Sequence, residues 1–159
     1  MTQKKMALIA TKGSLDWAYP PFILASTAAA LDYEVSIFFT FYGLQLLKKD
    51  LALEVSPLGN PGMPMPMSMD KWFPVAGTAM PGMQSMMTSM MKSKIKSKGV
   101  SSVEDLRDAC VEMDVKLIGC QMTIDLFDMK REDFIDEIDL GGAATFLEFA
   151  GDADISLFI

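Results

Sequence analysis

At 159 residues the chain is the length of one ordinary domain, enough to bury a complete core. Acidic residues outnumber basic ones 21 to 14, a net charge of −7, which argues against a nucleic-acid partner because phosphate binding needs clustered Lys and Arg. Histidine is absent, which excludes a Ser-His-Asp or Cys-His pair within the chain and removes the commonest zinc ligand. Two cysteines do not make a disulfide scaffold and point to a reducing, cytoplasmic compartment. No cleavable signal is visible at the start. The longest apolar stretch, residues 17–31, falls short of the ~20 residues of a membrane span and contains Pro20 and Pro21, so no span is expected.

Residues 5–11 form a short apolar run ending at Lys12, Gly13 and Ser14, the pattern of a buried parallel strand followed by a turn. Asp16 is placed to cap the next helix, with Pro20 and Pro21 in its first turn and an Ala- and Leu-rich body over 22–31. Residues 35–40 are β-branched and aromatic and predict a second strand, ended by Tyr42 and Gly43 and followed by a short helix over 44–49. The insertion at about 54–82 breaks this rhythm: Pro57, Gly59, Pro61, Gly62, Pro64 and Pro66 alternate with methionines, as a lid, a binding loop or a passive insertion.

Residues 80–98 predict a helix on which Met83, Met86, Met87, Met90, Met91, Lys94 and Ile95 make one stripe. Such a stripe is either plain core or an adaptable partner surface. Thioethers suit Cu(I), but no Cys or His cluster accompanies these, and no metal or other cofactor is expected. Gly99 and Val100 end the helix, and Ser102 with Asp105 resembles a capping box for the next, whose face carries Val103, Leu106, Cys110 and Met113. Residues 115–119 predict a strand that delivers Cys120. A short helix over 121–129, a brief edge strand or loop over 135–138, a small-residue helix over 143–150 and a final strand over 154–159 complete the chain. The whole is a single α/β domain over 1–159, three-layered, with a mostly parallel sheet of four or five strands flanked by helices, of flavodoxin-like type.

No phosphate-binding glycine loop is present, and the carboxylates between Glu104 and Asp139 lack metal-loop spacing. Chemistry therefore centres on Cys120. Ligands of open α/β sheets sit outside the carboxyl ends of the strands, and a thiol at a helix start faces unpaired N–H groups that favour thiolate. Gly119 would allow a sharp turn or a close approach. The alternative is a small buried hydrophobe at a strand end. Cys110, nine intervening residues earlier on an inward helix face, reads as packing; a Cys110–Cys120 redox pair is a further possibility, since the spacing is unlike a CxxC motif.

The segment from Asp108 to Met113, followed by Val115-Lys116-Leu117-Ile118-Gly119-Cys120-Gln121-Met122-Thr123, resembles the DsrE/DsrF-like sulfurtransferase family, in the branch associated with rhodanese and TusA-like carriers. Lys12 to Asp16, Phe39 to Gly43, and Met80-Pro81-Gly82-Met83 fit the same branch. The resemblance implies the DsrEFH-like version of the fold, usually as a homo-oligomer, and sulfur transfer as a sulfurtransferase or stoichiometric carrier. It implies that Cys120 accepts a sulfane sulfur or thiosulfonate and passes it to a TusA-like or rhodanese-like partner, with Cys110 auxiliary. Gly119, Gln121, Met122 and Thr123, with Gly13 and Ser14, are the implied substrate- or partner-binding residues. Met122, Met129 and the insertion would provide a dry cover for the loaded sulfur. The rival from another class is a non-catalytic assembly module that recruits a partner through its methionine-rich helix and loop.

Overall fold

The computed structural model describes residues 3–57 and 80–159. These divide into two compact units. The first holds a five-stranded sheet: β1 (Lys5–Ala10), β2 (Glu34–Phe39), β3 (Lys116–Cys120), β4 (Asp139–Gly141) and β5 (Ile155–Phe158), in the order β4-β3-β2-β1-β5. Every neighbouring pair is parallel, with Leu8 opposite Ile37 and Leu157, Phe38 opposite Ile118, and Cys120 opposite Gly141. The three inner strands are apolar on both sides because both sides are covered. Helix α1 (Leu15–Ala30) packs on one face, where Phe22 meets Phe39 with ring centroids 5.9 Å apart, and α3 (Val103–Glu112) joins it there through Cys110. Helix α5 (Ala143–Ala150) covers the other face, with Phe146 against Ala7, Phe38, Ile118 and Cys120. This is the expected three-layer α/β architecture.

Two local readings are corrected. Helix α1 begins at Leu15, so Pro20 and Pro21 lie inside it and Asp16 is not its cap. The amides that the prolines lack would have bonded the Asp16 and Trp17 carbonyls, near the helix start. Burial of Ala18, Phe22, Ala25 and Ala28 along one stripe carries the helix through them. The strand expected over 135–138 is displaced to Asp139–Gly141. Residues 134 and 135 are already engaged elsewhere: Phe134 bridges Lys48, and the Ile135 amide donates to the Leu47 carbonyl at 3.0 Å. The Arg131 guanidinium holds the carbonyls of Ile135 and Asp136, each at 2.8 Å.

Four helices stop by one device. After α1, α2 (Met83–Ser97), α3 and α4 (Gln121–Leu126), a residue with left-handed φ lets its own amide and the next one turn back onto the last carbonyls, and these residues are Asp32, Gly99, Asp114 and Asp128. Three of the four are aspartates, which tolerate this conformation less well than glycine. Asp114→Gly should therefore stabilise the fold by about 0.5–1 kcal/mol in denaturant melts.

The second unit comprises Ser14–Asp16 and Leu53–Ser102, and includes α2 (Met83–Ser97). The Asp16 carboxylate accepts from the Ser56 amide at 3.1 Å and the Ser56 hydroxyl at 2.9 Å, and the Ser14 hydroxyl lies 3.1 Å from that of Ser56. Thr88 Oγ1 accepts from the Val55 amide at 3.0 Å, while Gln84 donates to the Val55 carbonyl at 3.0 Å. Thr88 is the buried residue of α2, whereas Met86 and Met90 are exposed, so the methionine stripe is not plain core. Most of the predicted insertion, residues 58–79, lies outside the described residues.

Candidate functional site at the carboxyl end of the third strand

Strand β3 ends on Cys120, which occupies the cap position of α4 with extended backbone, φ −69° and ψ 109°. Its side chain falls on the α5 face, in register with Ile118 and against Phe38 and Phe146. The residue is only 5% exposed. Burial pushes its thiol pKa up, but donation from the Thr123 hydroxyl and amide, the Thr40 hydroxyl and the Met122 amide outweighs this and leaves the value below the ordinary 9.0. Among the described residues the lowering comes from hydrogen-bond donors and not from a cationic side chain.

Thr40 follows β2 directly, and its hydroxyl lies 3.2 Å from that of Thr123. Thr123 Oγ1 also accepts the Phe41 amide at 3.4 Å. Phe41 aims that amide from a left-handed φ of 49°, a strained conformation for an aromatic residue. A half-exposed aromatic rim stands beside it: Phe127 stacks on Tyr42 at 5.9 Å and meets Phe41 edge-on at 6.3 Å.

The sequence-derived site residues fare unequally. Cys120, Met122 and Thr123 come together, Met122 through its amide, while its side chain is 66% exposed. Among the described residues the apolar wall on the thiol is Phe38, Phe146 and Ile118, while the insertion expected to help cover it lies mostly outside them. The Gln121 side chain turns to Asp125 at 2.7 Å. Gly119 has no left-handed φ, and a Cβ on it would sit at ordinary contact distance from Leu44, Ile124 and Leu140, so neither turn nor close approach requires glycine there. Gly13 does serve a close approach: a Cβ would lie 2.2 Å from the Tyr42 carbonyl oxygen. Ser14 belongs to the second unit. Thr40 and the Phe41 amide were missed from sequence, although the strand-end logic that selected Cys120 also selects Thr40.

Cys110 is fully buried, and its Sγ–H donates to the Phe22 carbonyl at 3.7 Å. Burial pushes its thiol up to about 12, against a small opposing effect of the Ser26 backbone. Both cysteines are free thiols. They occupy opposite faces of the sheet, Cys110 beside the Phe22–Phe39 layer and Cys120 beneath α5, so the structure does not bring the pair together. Among the described residues, no group of three or more His, Cys, Asp or Glu gathers as metal ligands, and no helix is long and apolar enough to cross a membrane.

Known proteins resemble this chain over its whole length. The chain is 72% identical over 159 residues to the Sulfur carrier protein DsrE2 of Allochromatium vinosum, covering 100% of both chains. It is 32% identical over 162 residues to Uncharacterized protein YrkE of Bacillus subtilis, covering 98% of this chain and 97% of that one. The crystal structure of ychN protein from E. coli aligns with a TM-score of 0.57 over 99% of this chain and 100% of that one; at 10% identity this shows a shared fold. Residues 2–158 match the description DsrE/DsrF/DrsH-like family. With the parallel sheet and its strand-end cysteine already in place, these matches make the chain a member of the DsrE/DsrF/DrsH-like family.

Proposed function

We propose that the protein is a sulfur carrier: Cys120 takes up a sulfane sulfur or thiosulfonate group and hands it to the thiol of a partner protein. The observation that carries this reading is the set of donors about Cys120, two amides and two hydroxyls, which lowers its thiol pKa and so favours thiolate without any histidine. A thiolate is the species that attacks sulfane sulfur, and a low-pKa thiolate is also a good leaving group when the sulfur moves on. The 72% identity to a protein named as a sulfur carrier supports the same role. Persulfide is the loaded state, and the apolar wall of Phe38, Ile118 and Phe146 keeps water from one side of it.

The partners are TusA-like or rhodanese-like sulfur-transfer proteins, the setting is the cytoplasm, and the protein works as a homo-oligomer. Met122, through its amide, and Thr123, through its amide and hydroxyl, frame the acceptor sulfur, with Gly119 and Gln121 its neighbours in the chain. Cys110, deep in the opposite layer, contributes packing rather than a second acceptor. The exposed Met86 and Met90 favour a second, compatible reading in which α2 offers a partner surface.

The test is treatment of the intact protein with inorganic polysulfide, followed by mass spectrometry. Wild type gains one or more sulfur atoms, Cys120→Ser gains none, and Cys110→Ala still loads. Equal loading of wild type and Cys120→Ser overturns the assignment.

A further inference from the structure

We propose that the Thr40 and Thr123 hydroxyls form a leaving-group clamp on Cys120, favouring delivery of sulfur to an acceptor over its capture. The proposal rests on the carrier reading and assigns a direction to it. Its basis is the register of β2 and β3, where Phe38 faces Ile118 and Phe39 faces Gly119, so that Thr40 follows beside Cys120 on the face of Phe38. Thr123, in the first turn of the helix that Cys120 caps, has its hydroxyl oxygen 3.2 Å from that of Thr40, and the Phe41 amide donates to the Thr123 oxygen at 3.4 Å. That amide occupies a lone pair of Thr123 Oγ1 and leaves its O–H free to donate.

The pair can therefore satisfy itself or the sulfur. A Cys120 sulfur capped by a second sulfur is neutral and a weak acceptor, and the hydroxyls can then bond to each other across 3.2 Å. Negative charge on the sulfur gives both hydroxyls a stronger acceptor. The clamp thus acts most on the state in which charge has returned to Cys120, which is the condition for accelerating that step.

In delivery, the acceptor's thiolate attacks the outer sulfur of the Cys120 persulfide. A bond forms between the acceptor sulfur and that outer sulfur. The bond to Cys120 Sγ breaks, its electron pair remains on Sγ, and the acceptor leaves as a persulfide carrying the outer sulfur's proton. No external oxidant or reductant is needed. Capture runs the other way, withdrawing charge from Sγ, so the clamp works against it.

Among the described residues, charged side chains on the surrounding elements do not substitute for the clamp. Asp125 on α4 is exposed and holds Gln121, while Lys116 on β3, Glu34 on β2, Asp139 on β4 and Glu148 on α5 are exposed. The segment Phe41–Leu47 carries no charge.

The experiment compares wild type, Thr40→Val and Thr40→Ser, with Thr40→Ala as a second truncation if valine is not tolerated. Alkylation of Cys120 by iodoacetamide is followed from pH 6 to 10, and sulfur release to glutathione from polysulfide-loaded protein is timed. Loss of the hydroxyl should raise the alkylation midpoint by about one pH unit. Release should slow about threefold, and capture at pH above the midpoint should be unchanged or up to about threefold faster, because nucleophilicity rises with pKa. Thr40→Ser should restore wild-type behaviour. An unshifted midpoint, equal slowing of capture and release, or failure of serine to rescue would each overturn the clamp. Failure of wild type to load at all would instead overturn the carrier reading.

Discussion

At neutral pH, iodoacetamide should modify Cys120 at least about tenfold faster than Cys110, because the gain in thiolate outweighs the lower intrinsic nucleophilicity of the more acidic thiol. The thiolate is the reacting species, and the two thiols differ in how much of it they contain. Cys110, pushed up to about 12 by burial, is ionised to roughly one part in 10⁵ at pH 7, by the ordinary titration relation. Cys120 lies below the ordinary 9.0 and so carries more thiolate at pH 7 than an unperturbed thiol. Its alkylation rate should rise with pH and level off below 9, whereas that of Cys110 should keep rising towards about 12. Burial of Cys110 widens the gap further. Peptide mass spectrometry across the pH series measures both rates together, and similar rates at pH 7 would contradict the electrostatic picture of the site.

The same shifts affect stability with opposite signs. The raised Cys110 value means that its protonated form favours the fold: this contribution is complete below about 9 and is lost as pH rises towards about 12. The lowered Cys120 value contributes above 9 and is lost as pH falls through that lowered value.

Gly43→Ala should destabilise the protein by about 3 kcal/mol or more, the cost of overpacking against atoms that cannot move aside. An added Cβ would stand 2.1 Å from the Ala10 carbonyl oxygen and 2.7 Å from its carbon. Those are backbone atoms of β1, and the same carbonyl accepts the Thr40 amide at 3.1 Å. Relief of the clash therefore displaces Thr40 as well as β1, so sulfur release should slow along with the loss of stability. Gly119→Ala is the control beside the reactive residue, since its Cβ would meet only side-chain carbons at 3.5 Å or beyond. Urea melts of the two variants should separate clearly. A Gly43→Ala protein as stable as wild type would mean that the β1 end and the segment after β2 do not approach as closely as described.

Much of this was legible beforehand where local pattern and tertiary demand coincide. The apolar runs that became β1, β2 and β3 are buried on both faces, so nothing in the assembled fold competes with their strand preference. Where neighbours decide, the sequence was mute or misleading. Pro20 and Pro21 argue locally for a late helix start, yet a buried stripe three and four residues apart keeps α1 continuous through them. Residues 135–138 look strand-like, but Arg131 and Leu47 claim their backbone, and the three-residue edge strand forms further along.

By itself the sequence determined that an α/β sheet would present Cys120 at a strand end, at the start of a helix, with no histidine to assist it. Strand run, glycine and helix start are contiguous there, and short-range pattern suffices. Only the tertiary structure decided that Thr40 comes to lie 3.2 Å from Thr123, 83 residues away, at the end of the strand paired with that of Cys120, and that Cys110, ten positions before Cys120, lies on the other side of the sheet. The reason is geometric: strand pairing brings remote strand ends into hydrogen-bond range, while a single sheet holds apart side chains that are near one another in the chain.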